Sequence, residues 1–249
     1  HMISLSFFIS NISFSITPFA AKRKRTLFDE GNPEYYTVFI QKGKIKMQRI
    51  YYQIPLYRFL QYCSEYDISR SVLDCGAGGE LPPLALFYEN GYTASGIDID
   101  EDQVQKALCF AHRHQMQLHI QTGDMKRLPY EKDCFGAVYS YNSIFHMTKK
   151  DIAVALKEMK RVLKPQGLMF VNFLTTDDFR CGGGDTLGNH QYYQYDDDMP
   201  VIHSYFEETE ADIWFSDMKL LFKERRIQHR IYRNEMIRQG FVDYILQKK

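Results

Sequence analysis

The sequence predicts an α/β fold, a doubly wound and mostly parallel sheet, and three observations carry that expectation. Between about residues 70 and 175, short β-rich apolar runs alternate with helix-period segments, the pattern of parallel strands joined by crossover helices. The first run, Val72-Leu73-Asp74-Cys75, opens into the small-residue string Gly76-Ala77-Gly78-Gly79. The second closes in Gly96-Ile97-Asp98-Ile99-Asp100, so each of two successive strands delivers an acid to the same sheet edge.

Composition sets the frame. The 249 residues are 45% hydrophobic and 15% aromatic, enough to bury a large core. Lys and Arg together number 31, as do Asp and Glu, so the formal charge is zero, which argues against nucleic acid or a membrane surface as partner. The five cysteines are scattered without C-x-x-C spacing and read as reduced, mostly buried thiols of a cytoplasmic protein. The apolar run over residues 3–21 is short, broken by Ser and Asn, and lacks a preceding basic stretch, so neither a membrane span nor a secretion signal is expected.

Taken in order, residues 1–45 read as an N-terminal extension and 46–249 as one domain. Residues 46–66, rich in tyrosine, fit an amphipathic helix that Pro55 kinks, forming an N-terminal helical cover. The core, 70–175, is expected to hold strands at 71–75, 93–98, 118–123, 136–140 and 168–173. A helix from about Leu81 to Asn90 tolerates Pro82 and Pro83 only in its first turn, and Gly91 stops it. A second helix starts after Asp100, better placed as its N-cap than as a ligand group, and a third covers 151–164 and stops at Pro165. Residues 175–200, rich in glycine and acid, are too long for an ordinary connection and suggest a lid. A short helix near 205–217 and an antiparallel strand pair complete the C-terminal part, 205–249.

The glycine loop and the second acid imply a ligand. Gly76, Ala77 and Gly78 let backbone approach a bound group with no Cβ in the way, and Asp98 stands where a carboxylate accepts hydrogen bonds from vicinal ribose hydroxyls. A dinucleotide fingerprint would need glycine at 81, where the chain has Leu81, so NAD is disfavoured. Asp74 would repel a pyrophosphate but suits a cationic amino-acid moiety, as in S-adenosylmethionine.

With these motifs, together with TGDMKRLPY, FGAVYSYNSIFHM and LKEMKRVLKPQGLMFVNF, the chain resembles the class I S-adenosylmethionine-dependent methyltransferases of the small-molecule type over roughly residues 70–175. The resemblance implies a Rossmann-like, seven-stranded sheet with S-adenosylmethionine as cofactor and S-adenosylhomocysteine as product. It implies that the loop from Asp74 to Gly79 wraps the methionine part, that Asp98 holds the ribose, that Ile99 packs on adenine, and that Asp124 with Met125 faces the adenine amino group. Ser140 and Tyr141 would close the other side. The chain departs from the family at Gly136, where an acid is usual, and at Gln166, where a glycine is usual.

In-line displacement from a sulfonium asks mainly for positioning, so catalytic residues are few. His146, in the loop after the fourth strand, is the best-placed base for a hydroxyl or ammonium acceptor, and Tyr141 can line the acceptor side. Tyr36, His190 and Tyr193 are expected to bind a small-molecule acceptor, the acid-rich lid favouring a neutral or cationic one. No metal is expected, since the run Asp196 to Asp198 lacks calcium-loop spacing and reads as a solvated face. Two other classes remain open: an RNA or protein methyltransferase, from the basic stretch 22–25 and Arg225, Arg226 and Arg230, and a non-catalytic S-adenosylmethionine-binding protein.

Overall fold

The computed structural model describes residues 54–196, 199–232 and 234–249, and the backbone alone of 25–27, 35–41 and 44–50. The chain divides into two compact units, 1–52 and 53–249.

In the first unit, β1 (Arg25–Leu27), β2 (Tyr35–Gln41) and β3 (Lys44–Ile50) pair antiparallel in sequence order. The expected helix therefore does not begin at 46. Lys44-Ile45-Lys46-Met47-Gln48 alternates with period two, and it pairs with β2 in the register Gln41↔Lys44 to Tyr35↔Ile50. The helix α1 starts instead at Ile54 and runs to Glu65, with Pro55 in its first turn, where a missing N–H costs no hydrogen bond.

The second unit is built on β4 (Ser71–Cys75), β5 (Thr93–Asp98), β6 (Leu118–Thr122), β7 (Phe135–Ser140) and β8 (Leu163–Thr175), all parallel in the order β6-β5-β4-β7-β8. The connections carry α2 (Leu84–Glu89), α3 (Glu101–Arg113) and α4 (Lys149–Val162). Past β8 the chain forms β9 (Asp185–Gly188), β10 (Gln191–Asp196) and β11 (Met199–Phe206), then a 3₁₀ turn at Glu210–Phe215, then β12 (Met218–Tyr232) and β13 (Glu235–Lys248). β13 lies antiparallel to β8 and β12 to β13, which completes the expected seven strands within a ten-stranded sheet that β11, β10 and β9 extend past the end of β8.

The two faces follow from strand periodicity. Phe59 of α1 touches the rings of Phe87, Tyr139 and Phe170, while the neighbouring residues Val138, Met169 and Val171 face the α4 side chains Ile152, Leu156 and Met159. Helices thus cover both faces, as a doubly wound sheet requires. Asp100 caps α3 by accepting from the amides of Asp102 and Gln103, and Thr148 caps α4, its Oγ1 accepting from the Asp151 amide and donating to the Asp151 carboxylate.

Two expectations are corrected here. The segment 175–200 is not a loop: β9, β10 and β11 form an antiparallel ribbon, and Tyr205 and Phe206 of β11 pair in parallel with Leu174 and Thr175. The alternation in Gln191-Tyr192-Tyr193-Gln194-Tyr195 is the strand signal, and the flanking glycines are its turns. The helix expected from residue 205 is only the 3₁₀ turn, because Ser204 to Phe206 are still strand. Of the cysteines, Cys63 and Cys75 are buried and Cys109 is exposed. No described helix is long and apolar enough to cross a membrane.

Candidate active site

β4 turns at Gly76, whose φ of +107° belongs to glycine, and a Cβ there would collide with Ser143 Oγ from the loop after β7. The amides of Gly76 and Ala77 both donate to Ile97 O, at 2.8 and 3.1 Å, and the Gly78 amide donates to Asp98 Oδ2 at 2.9 Å. These N–H groups are therefore committed to β5. The glycines serve close approach more than donation, since a Cβ on Gly78 would lie 2.5 Å from Gln103 Cβ. Gly96 has the same purpose, because a Cβ on it would run into Ala77.

Around this loop the sheet edge presents acids of different character. Asp98 is half-buried and its Oδ1 accepts from the Asp100 amide at 3.0 Å. Ile99 beside it leaves 72% of its surface to solvent, unusual for an isoleucine so close to a sheet core. Asp124 Oδ1 accepts from the Lys126 amide at 2.8 Å, and Met125, half-buried, packs against the main core beside the Gly76 turn. The loops after β4, β6 and β7 thus meet at one place.

Beneath them, three buried polar atoms have no hydrogen-bond partner: Asp74 Oδ2, Tyr139 Oη and Ser140 Oγ. Asp74 and Tyr139 stand side by side in the register of β4 and β7, and Ser140 follows. Burial pushes the Asp74 carboxyl up to about 8; the Tyr139 phenol opposes this without reaching hydrogen-bond geometry, and the Asp98 carboxylate adds to it. Orphaned buried polar groups at the carboxyl ends of adjacent strands call for a polar ligand.

A methyltransferase domain family model matches residues 73–171, the span that supplies every one of these groups. Residues 73–171 are a class I S-adenosylmethionine-dependent methyltransferase domain. Among curated relatives, (+)-O-methylkolavelool synthase of Herpetosiphon aurantiacus is 34% identical over 95 residues, covering 37% of this chain and 33% of that protein. Methyltransferase GfsG of Streptomyces halstedii is 26% identical over 153 residues, 57% of this chain and 54% of that one. The chain thus spans about a third to a half of the curated relatives it matches. A S-adenosylmethionine-dependent methyltransferase structure from Methanosarcina mazei superposes with a TM-score of 0.58 at 21% identity, over 72% of this chain and 92% of that one, a likeness of fold. The methyltransferase domain's cofactor is S-adenosylmethionine, and the residues fit it: a tight glycine turn at the sheet edge, where a Cβ on Gly76 or Gly78 would strike Ser143 or Gln103, with unpartnered buried polar atoms at its base.

Next to the methyltransferase domain's cradle, the loop after β7 leads toward the ribbon. Tyr141 stacks on Phe170, and burial raises its phenol pKa. Asn142 adopts φ +53° and is held twice by Asn172, whose Oδ1 accepts from the Asn142 amide at 2.8 Å while its Nδ2 donates to Asn142 Oδ1 at 2.7 Å. His146 keeps an exposed edge, yet the protein crowding its ring lowers its pKa, against the pull of the Asp196 carboxylate. Its ring meets His203 of β11 edge to face at 4.6 Å. His203 is 2% exposed, and burial, with His146 beside it, lowers its pKa to about 4.

The ribbon residues expected at the acceptor site divide. His190 is at the exposed β9–β10 turn, 3.8 Å from Glu207, and Tyr193 is 45% exposed on β10. Neither joins the His146 group. The side chain of Tyr36, and the acids at 197 and 198, lie outside the described residues. His203, Arg180 and Gln194 went unseen in the sequence, and Asp196 was read there only as part of a solvated acidic face. His203 sits in an apolar strand as one of eight histidines, and nothing in spacing links it to His146.

Proposed function

We propose that the chain transfers a methyl group from S-adenosylmethionine to a small-molecule acceptor through an oxygen or nitrogen nucleophile. The observation that carries this reading is the trio of orphaned buried atoms, Asp74 Oδ2, Tyr139 Oη and Ser140 Oγ, under a glycine cradle whose far rim is Asp98. When bound, S-adenosylmethionine supplies a methyl group on a sulfonium, already a good leaving group.

The chain's own residues bind and orient. Asp98 accepts from the ribose hydroxyls, Ile99 offers the exposed apolar surface on which adenine packs, and Asp124 with Met125 bounds the adenine edge. Asp74 and Ser140 face the amino-acid end. Tyr141, the loop to His146 and the ribbon line the acceptor side, with two neutral imidazoles able to take up a proton or offer a lone pair. A small acceptor fits a flank built from side chains and a short ribbon, and the Herpetosiphon relative is named for an O-methylated product. The scattered, unpaired cysteines suit the reducing cytoplasm.

The test is a tritiated methyl-transfer screen run in parallel on metabolite pools, cellular RNA and protein extract. Label is expected in the metabolite fraction. Label confined to RNA or protein overturns the small-molecule assignment, and calorimetry showing no S-adenosylmethionine binding overturns the whole reading.

A further inference from the structure

Three side chains from separate parts of the sequence converge where the ribbon meets the loop after β7. His146 of that loop, Asp196 at the end of β10 and His203 of β11 each present one potential ligand atom, and these atoms lie within 4.8 Å of one another. The hairpin register explains part of the convergence: Asp196 opposes Met199, so Asp196, Met199 and His203 share a face by period-two alternation. The parallel pairing of β11 with the end of β8, and the bond from the Ser204 amide to Phe145 O at 3.0 Å, bring that face against His146.

The cluster has an inner and an outer shell. Arg180 Nη1 donates to Asp196 Oδ1 at 2.5 Å and its Nη2 to Tyr195 O at 3.2 Å, which fixes the carboxylate and leaves Oδ2 turned toward His203 Nε2 at 3.4 Å. Carboxylate ligands of metals are held by outer hydrogen bonds in this manner. His203 Nδ1 is buried without a hydrogen-bond partner. Two imidazoles and a carboxylate, one side open through His146, are the donor set of a first-row transition ion and not of Mg²⁺ or Ca²⁺, which prefer oxygen.

We propose that His146, Asp196 and His203 form a three-ligand site for one divalent transition ion of the Zn²⁺ and Fe²⁺ class on the acceptor side of the pocket. Its purpose rests on the methyl-transfer reading. The ion's open positions take an acceptor oxygen and lower its pKa, so that the proton leaves to water before the oxygen is methylated. The nearby Arg180 guanidinium disfavours an unaccompanied ion, and an ionised acceptor beside the ion offsets that repulsion.

The experiment measures metal by two routes on the full chain. Zn²⁺ is titrated in competition with a chromophoric chelator, and Co²⁺ is titrated while its visible absorption is followed. S-adenosylmethionine binding is measured by calorimetry on the same samples. One ion per chain is expected. His146→Ala, at an exposed position where folding is spared, and Asp196→Asn should each weaken binding by more than the roughly ten- to hundred-fold that loss of an outer partner costs. Thermal melts confirm that each variant is folded. Absence of stoichiometric binding, or binding undiminished in both His146→Ala and Asp196→Asn, overturns the site. Cofactor binding without metal binding defeats the site and leaves the methyltransferase reading standing; metal binding without cofactor binding does the reverse.

Discussion

Gly78 donates its amide to Asp98 Oδ2 at 2.9 Å, so the loop that ends β4 and the acid that ends β5 form one unit. Asp98 Oδ1 meanwhile accepts from the Asp100 amide, and Asp100 caps α3. The carboxylate is thus aimed by two backbone amides before any ligand arrives, which lowers the ordering cost of binding.

Removing that carboxylate should weaken S-adenosylmethionine by ten- to a hundred-fold, since a hydrogen bond to a charged group is worth about 1.5–3 kcal/mol. Gly78→Ala should act on the same unit from the other side. Its Cβ would stand 2.7 Å from Asp98 Oδ2, which can swing, and 2.5 Å from Gln103 Cβ, which cannot, so α3 must shift. Overpacking of this kind costs about 1–3 kcal/mol of stability. Calorimetry and thermal melts check both; wild-type affinity in Asp98→Ala would remove Asp98 from the ribose site.

Asp74 sets a pH dependence whose sign is definite. With its carboxyl pushed up to about 8 from 3.8, the folded, ligand-free protein holds a proton that the unfolded chain releases. The associated stability is fully present below about pH 4 and is lost as pH rises through about 8. Asp74→Asn, a neutral mimic of the protonated acid, should therefore melt above wild type near pH 8 and match it near pH 4. Affinity should move the opposite way, because the cationic amino-acid end of the cofactor favours an ionised Asp74. Melts and calorimetry across that range decide it, and a variant that melts below wild type at every pH would refute the buried, protonated acid.

The bounds of β4 and β5 were readable to the residue, because each is a short apolar run between a turn and a glycine or acid at the edge. β3 was not, since the tyrosines that follow it extend a helical period backward over Lys46-Met47-Gln48 and outweigh a short alternation. Gly136, a departure from the family pattern, has a local cause: a Cβ there would strike the Ser69 carbonyl, so no acid fits. The cofactor side was legible because its residues end consecutive strands, whose order the motifs give. The acceptor side was not, because the meeting of His146 with His203 and Asp196 depends on how a ribbon folds back, a tertiary fact with no local signature.

Gln166 marks a place where the chain carries strain. It holds φ +63° on the exposed stretch beside Pro165, where the family's glycine would sit without cost. Left-handed backbone costs a non-glycine residue about 1–2 kcal/mol, and glycine's extra freedom in the unfolded chain costs roughly 0.5–1 kcal/mol. The first outweighs the second, and Gln247 Nε2 still finds the residue-166 carbonyl in either case. Gln166→Gly should stabilise by about 0.5–1 kcal/mol in denaturant unfolding. A loss of stability would mean that the exposed side chain contributes more than its backbone costs.

The ribbon supplies the last prediction. Gln194 is buried on β10, and its Nε2 donates to Arg180 O at 2.7 Å and Gly183 O at 2.8 Å while its Oε1 accepts from Tyr205 Oη at 2.7 Å. One side chain therefore ties the glycine turn, the segment carrying Arg180 and the strand carrying His203. Burial raises the Tyr205 phenol pKa, so the tyrosine remains a donor at neutral pH. Gln194→Ala would leave the buried Tyr205 hydroxyl unpaired, while Arg180 O keeps its bond from the Gly183 amide, at a cost of about 1–3 kcal/mol for an unmatched buried group. None of these contacts touches the Gly76–Asp98 unit, so S-adenosylmethionine affinity should stay within a few fold while methyl transfer falls and the acceptor KM rises. Hydrogen exchange should show the amides of β9 and β10 opening faster and those of β4 and β5 unchanged. Full turnover in a variant whose ribbon exchanges freely would show that the ribbon is decoration and that the acceptor binds elsewhere on the sheet edge.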